Sequence, residues 1–162
     1  MSEKYKAPFV AGEYYHVFHH AVGYENIFKE KSNYDHFLDR LKHHISTYCD
    51  LTDWCLMPNH FHLIIRVRPE LSSLLMPAQV EVTVVQCFSN FLNSYTKSIN
   101  KRYKRRGSIF AGRFKRIQIT NERHLNIARE YVRYNPEHHG FTDNSEKWPH
   151  LKISLNGNAG FD

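Results

Sequence analysis

The feature that most constrains this chain is Met57-Pro58-Asn59, a turn signal set between two strand-like runs, Leu51 to Met57 and Phe61 to Val67. Strands joined by so short a connection must pair antiparallel. Glu13 to Ala21 (EYYHVFHHA), rich in aromatic and β-branched residues, reads as another strand. Tyr34, Phe37, Leu38, Leu41 and Ile45 recur at helical spacing and predict a helix over about 31–48. Val84, Val85, Phe88, Phe91, Leu92, Tyr95 and Ile99 predict a second over about 82–102, and residues 69–80, with two prolines, a loop. Gly107 to Thr120 reads as a strand or hairpin broken at Ala111-Gly112. Asn121 caps a third helix expected to end near Tyr134, because Pro136 disfavours helical backbone at Asn135. The tail after Gly140 is less regular. Helices alternating with an antiparallel pair predict an α+β sandwich: one central antiparallel sheet with helices mainly on one face. With no repeat, low-complexity tract or Pro/Gly-rich linker, the simplest organisation is one domain over 1–162, its core about 13–150.

A chain that is 41% hydrophobic is not a disordered tail. No apolar run approaches the roughly 20 residues of a membrane span. Met1 to Ala11 lacks a positive head followed by an apolar stretch, so no secretory signal is expected and the cytoplasm is the default location. Cys49, Cys55 and Cys87 are odd in number and form no CxxC, which argues against a disulfide framework or zinc ribbon and for inert, buried thiols.

The net charge of +6 is concentrated. Lys97, Lys101, Arg102, Lys104, Arg105, Arg106, Arg113, Lys115 and Arg116 occupy a segment without a single acid; without those nine, 13 basic residues face 16 acidic ones, a net of −3. A localised cationic strip suits a polyanion, with Tyr103, Phe110 and Phe114 interleaved for base stacking. The plainer reading is a solvated helix end and loop.

His60-Phe61-His62 is the most specific local motif. Residues i and i+2 of a strand share a face, so the two imidazoles project together, away from Phe61 and Leu63. Such a pair can chelate a divalent ion while leaving positions open, as a catalytic metal requires; it can also be two half-exposed polar residues. His19-His20 and His43-His44 are neighbours that point apart and are poor chelates. His138-His139, in an expected loop, is unconstrained by such geometry. On the third helix Tyr131 and Asn135 stand four apart on one face, so a phenol and an amide oxygen could act together. A phenol ionises only at about pH 10 and needs a nearby metal or cation to become a nucleophile. By helix pattern alone, Tyr131 is a packing residue.

Taken together, MPNHFHLIIR (57–66) and YVRYNPEHHG (131–140), with FSNFLNSYTKSINKRYKRRGSIFAGRFKR (88–116) between them and Trp148 in the tail, resemble the REP-associated tyrosine transposases, of the single-tyrosine HUH class of insertion-sequence transposases. The resemblance runs from about Tyr14 to Pro149. It implies a ferredoxin-like (RRM-like) domain, His60 and His62 as metal ligands with Asn135 as a polar third, Tyr131 as the nucleophile with Tyr134 as the alternative, Mg²⁺ or Mn²⁺ as cofactor, and hairpin-forming single-stranded DNA as substrate. It leaves a monomer or a homodimer open. The chain departs from the pattern at His19-His20, where relatives often carry a pair such as Asn-Arg, and around Glu137. Two other readings compete: a non-catalytic nucleic-acid-binding module of the same fold, and an HxH metal hydrolase acting on small phosphates, which leaves the acid-free strip unexplained.

Overall fold

The protein's structure, a computed structural model, describes residues 2–154; Met1 and 155–162 of the expected domain lie outside the described residues. Strands β1 (Tyr14–His20), β2 (Cys49–Met57), β3 (His60–Val67), β4 (Lys115–Ile119) and β5 (Leu151–Lys152) form one sheet in the order β4-β1-β3-β2-β5. Every neighbouring pair is antiparallel. Helix α1 (Lys31–Ile45) links β1 to β2; a short α2 (Leu71–Leu74) and the long α3 (Pro77–Tyr103) link β3 to β4; α4 (Glu122–His138) follows β4. This is the ferredoxin-like α+β arrangement, extended by β5 at one edge. No helix among the described residues is long and apolar enough to cross a membrane.

The two faces of the sheet carry different cargo. Tyr15, Val17, Leu56, Phe61, Leu63 and Ile65 point into the main core, against Phe37 and Leu41 of α1 and Val84, Phe88, Phe91 and Tyr95 of α3. The opposite face packs Tyr14, Cys55, Met57, Ile64 and Ile119 against Leu125, Ala128 and Val132 of α4. Because strand side chains alternate, His60 and His62 fall on this second face. Two long helices thus share one face, and the tyrosine helix has the other.

A β-bulge at Thr52 fixes how α4 docks. Leu51 pairs with Ile65, but Asp53 pairs with Ile64, so the extra residue reverses the alternation and turns Asp53 toward α4. There Asp53, fully buried, accepts from Arg129 Nε at 3.2 Å and from the Ser154 amide at 2.7 Å. The same carboxylate therefore ties α4 and the chain after β5 to the edge of β2.

Two helix ends differ from the sequence expectation. α3 begins at Pro77 rather than near residue 82, because proline at the first helical position loses no hydrogen bond and comes with helical φ. Met76 N donates to Gln79 Oε1 at 2.8 Å and completes that end. α4 runs through Pro136 to His138 instead of stopping near Tyr134. Asn135 and Pro136 are buried, the amides of His139 and Phe141 donate to the carbonyls of Asn135 and Pro136, and Gly140 at φ +73° turns the chain out. Packing and a satisfied C-terminus outweigh the local proline penalty. Only Lys115–Ile119 of the expected 107–120 strand pairs regularly; residues 107–114 form a loop with one bridge, Ala21 to Phe110.

Replacing Arg129 with Met strands the Asp53 carboxylate and should cost about 3 kcal/mol, the scale of breaking a buried ion pair. Urea unfolding measures this, and an unchanged midpoint would show that the pair does not anchor α4.

Candidate active site

β3 presents His60 and His62 side by side, their ring centroids 5.4 Å apart. α4 crosses above them and brings in Asn135 and Tyr131. His60 Nε2 and Asn135 Oδ1 stand 3.0 Å apart. The Tyr131 ring sits edge-on to His62, 5.4 Å between centroids, and to His16, 5.8 Å. Tyr131 is 50% exposed, so its ring closes the site on one side and meets solvent on the other. His60, His62 and Tyr131 line a cleft of about 320 Å³ with Phe18, His19, His20, Ala21, Asn59 and His139. A larger cavity of about 520 Å³ lies between α3 and the 108–116 segment and contains neither Tyr131 nor the histidine pair. Tyr134, three residues on, is similarly exposed but does not line the cleft.

Three of these neighbours are not evident from the sequence. His16 Nε2 stands 2.8 Å from His62 Nδ1, both rings buried. The residue lies two positions before Phe18 on the same face of β1, and its alternation with Tyr14, Phe18 and His20 was the available signal. His139 caps α4 instead of lying in a loop, and its ring centroid is 4.5 Å from that of His60. Asn59, in the hairpin turn, places its Oδ1 2.7 Å from His60 Nδ1.

Burial depresses the basicity of the whole group. Desolvation lowers His60 and takes His62 well below the ordinary imidazole range, with His16 adding repulsion at His62. Desolvation likewise brings His16 down to about 4 and lowers His139. The imidazoles are therefore neutral at pH 7, with lone pairs open to a Lewis acid.

Among the described residues no three His, Cys, Asp or Glu side chains form a group that could hold a metal; the Asn135 amide oxygen is a donor of another type beside His60. The donor chemistry fits an ion. A neutral ring donates to only one of the two amide oxygens it faces; when His60 donates from Nδ1 to Asn59 Oδ1, Nε2 keeps the lone pair. That lone pair faces the Asn135 oxygen, while Asn135 Nδ2 is buried without a partner. Two acceptors this close are satisfied by a cation between them, and adjacent ligands of an octahedral ion stand about 3 Å apart.

The basic strip divides. Arg102 pairs with Glu30, Arg105 with both carboxylate oxygens of Glu25, and Arg116, largely buried, with Glu81. Arg105 also donates to Asn100 and to the carbonyls of Gly107 and Ser108, which makes it a brace for the turn after α3. Lys97, Lys101, Lys104, Arg106 and Arg113 are exposed. Lys115 pairs with Phe18, which pairs with His62, so it lies in the same cross-strand row as the cleft. Phe110 and Phe114 are buried in the core and offer no ring for base stacking, contrary to the sequence expectation; Tyr103 is half-buried against Glu30.

No family model and no curated protein matches the chain by sequence. Among solved structures, that of a REP-associated tyrosine transposase bound to a REP hairpin superposes with a TM-score of 0.70 over 93% of this chain and 82% of that one, at 16% identity. The two share a fold.

His19 gives this end of the sheet a pH dependence. It is buried, stacked on Phe110 at 5.2 Å, with Nδ1 unpartnered, and desolvation brings it to about 4. The unfolded chain takes up this proton below the ordinary imidazole value of 6.5, while the folded chain resists down to about 4. Stability from His19 is thus full above that window and falls as pH drops through it, by about 2 kcal/mol between pH 7 and pH 5. His19→Leu should remove this increment from urea unfolding measured at the two pH values; an unchanged difference would place the dependence elsewhere.

Proposed function

We propose that this protein cleaves and rejoins single-stranded DNA through a covalent link to Tyr131, with His60, His62 and Asn135 holding Mg²⁺ or Mn²⁺. The observation that carries this reading is the meeting, across β3 and α4, of a half-exposed phenol with two neutral imidazoles, His62 buried and His60 half-buried, and a buried amide oxygen. The fold shared with a hairpin-bound tyrosine transposase supports it and favours hairpin-forming DNA as substrate. All four side chains come from one chain, so a monomer suffices in this reading.

The chemistry follows from the placement. The Tyr131 oxygen attacks the scissile phosphorus in line with the departing 3′ oxygen. The P–O3′ bond breaks, the phenol proton is lost, and the 3′ oxygen takes up a proton. The products are a 5′-phosphotyrosine and a free 3′-hydroxyl. The new phosphodiester conserves the energy of the old one, so a second 3′-hydroxyl can attack it and restore the DNA without ATP. When bound, the divalent ion supplies Lewis-acid polarisation of a non-bridging phosphate oxygen and a fixed template. The chain's own contribution is positioning: the sheet holds the imidazoles rigidly, and α4 holds Tyr131 one turn from Asn135.

Incubation of labelled hairpin DNA with Mn²⁺ and a denaturing gel tests the reading. The wild-type protein should form an adduct that Tyr131→Phe lacks and Tyr134→Phe retains, with DNA binding kept in both variants. An adduct surviving Tyr131→Phe moves the nucleophile elsewhere; no wild-type adduct on any hairpin leaves a non-catalytic binder.

The strip would hold phosphates through its exposed members. Arg106→Ala should weaken all DNAs alike and lower the salt slope of binding by about 1, as the loss of one phosphate contact does. Arg105→Ala should instead lower thermal stability, because it breaks the Glu25 brace. Loss on one DNA sequence alone would contradict the phosphate role of Arg106.

A further inference from the structure

We infer that His16 is a positioning residue for His62: it holds the ring by Nδ1 so that Nε2 faces the cleft. This rests on reading His62 as a metal ligand. His16 and His62 lie on adjacent strands and the same sheet face, diagonal neighbours two residues off direct opposition. Their facing nitrogens are 2.8 Å apart, away from bulk solvent. Phe18 stacks on His62 from β1 at 5.7 Å and Tyr131 closes its edge from α4, so the ring has little freedom to turn.

A neutral imidazole donates from one nitrogen and accepts at the other. The 2.8 Å contact therefore allows two arrangements. If His16 donates, His62 carries its proton on Nε2 and cannot bind an ion there. If His62 donates, Nε2 keeps its lone pair for the cleft. A metal role for His62 requires the second, and His60 is built in parallel, its Nδ1 against Asn59 Oδ1 and its Nε2 toward Asn135. Both imidazoles are thus buttressed through Nδ1 and offered through Nε2. The two buttresses differ in kind: the turn supplies one for His60, whereas β1 supplies the other for His62 from outside the HxH motif. An outer partner of this sort fixes the tautomer and ring orientation of a ligand.

The test uses the full-length protein with ¹⁵N-labelled histidine. Without metal, the His62 signals, identified by their absence in His62→Gln, should show a ring protonated at Nδ1; protonation at Nε2 in the wild type overturns the inference with no need of a His16 variant. His16→Gln keeps an acceptor where Nε2 stands and should preserve that tautomer, and His16→Leu should lose it. Mn²⁺ binding by calorimetry should weaken by about 10- to 100-fold in His16→Leu, the usual effect of losing such a partner, and stay near wild type in His16→Gln. Circular dichroism establishes that both variants fold. A folded His16→Leu that binds Mn²⁺ and forms the Tyr131 adduct like wild type overturns the inference and leaves the nuclease reading standing. A wild-type protein that binds no Mn²⁺ and forms no adduct overturns that reading, and the inference with it.

Discussion

The docking of α4 on the second face of the sheet is the constraint from which the rest of this structure follows. Without it, His60 and His62 are two polar residues on an open strand and Tyr131 is a surface phenol. The docking rests on an apolar contact, Leu125, Ala128 and Val132 over Met57, Ile64 and Ile119, and on one buried ion pair, Arg129 with Asp53. The apolar contact is non-directional and permits sliding along the sheet. The ion pair does not, because Arg129 reaches one fixed carboxylate that also holds the Ser154 amide. The bulge at Thr52 decides that Asp53 lies on this face at all. A single inserted residue in β2 thereby sets where a helix from the far end of the chain stops, and with it the approach of the phenol to the imidazoles.

What was legible in the sequence divides along the range of the interactions involved. The hairpin at Pro58-Asn59 and the helical stripes of α1, α3 and α4 are local patterns, and they gave the α+β class. The same local logic put His60 with His62 and Tyr131 with Asn135. The sites of failure are those where a distant partner overrides a local rule. Pro77 and Pro136 read as breakers, but one starts a helix at a tolerated position and the other is held inside one by burial. The cationic strip reads as uniform, whereas Glu25, Glu30 and Glu81, acids at least 35 residues away in sequence, claim three of its arginines. Phe110 and Phe114 read as available for stacking only because nothing nearby announces that the core takes them. His16 is the sharpest case: its partner is 46 residues away, and only the β1–β3 register makes them neighbours.

Burial of polar groups is unfavourable unless they are paired, and α4 could have covered this face with apolar side chains throughout. At one end it does. At the other the same interface encloses His16, His62 and Asn135, and leaves an amide nitrogen without a partner. A histidine pair serving only to pack would do better as Leu or Phe, since each desolvated imidazole costs stability as the pH falls. A surface pair would do better solvated. The observed compromise has the imidazoles shielded enough to stay neutral, yet opening on one side to a cleft beside an exposed phenol. That arrangement gives up folding stability to keep unprotonated imidazole nitrogen beside a buried amide oxygen. Departures from local consistency of this kind concentrate where a chain does chemistry, and in this sheet they concentrate at the crossing of β3 and α4.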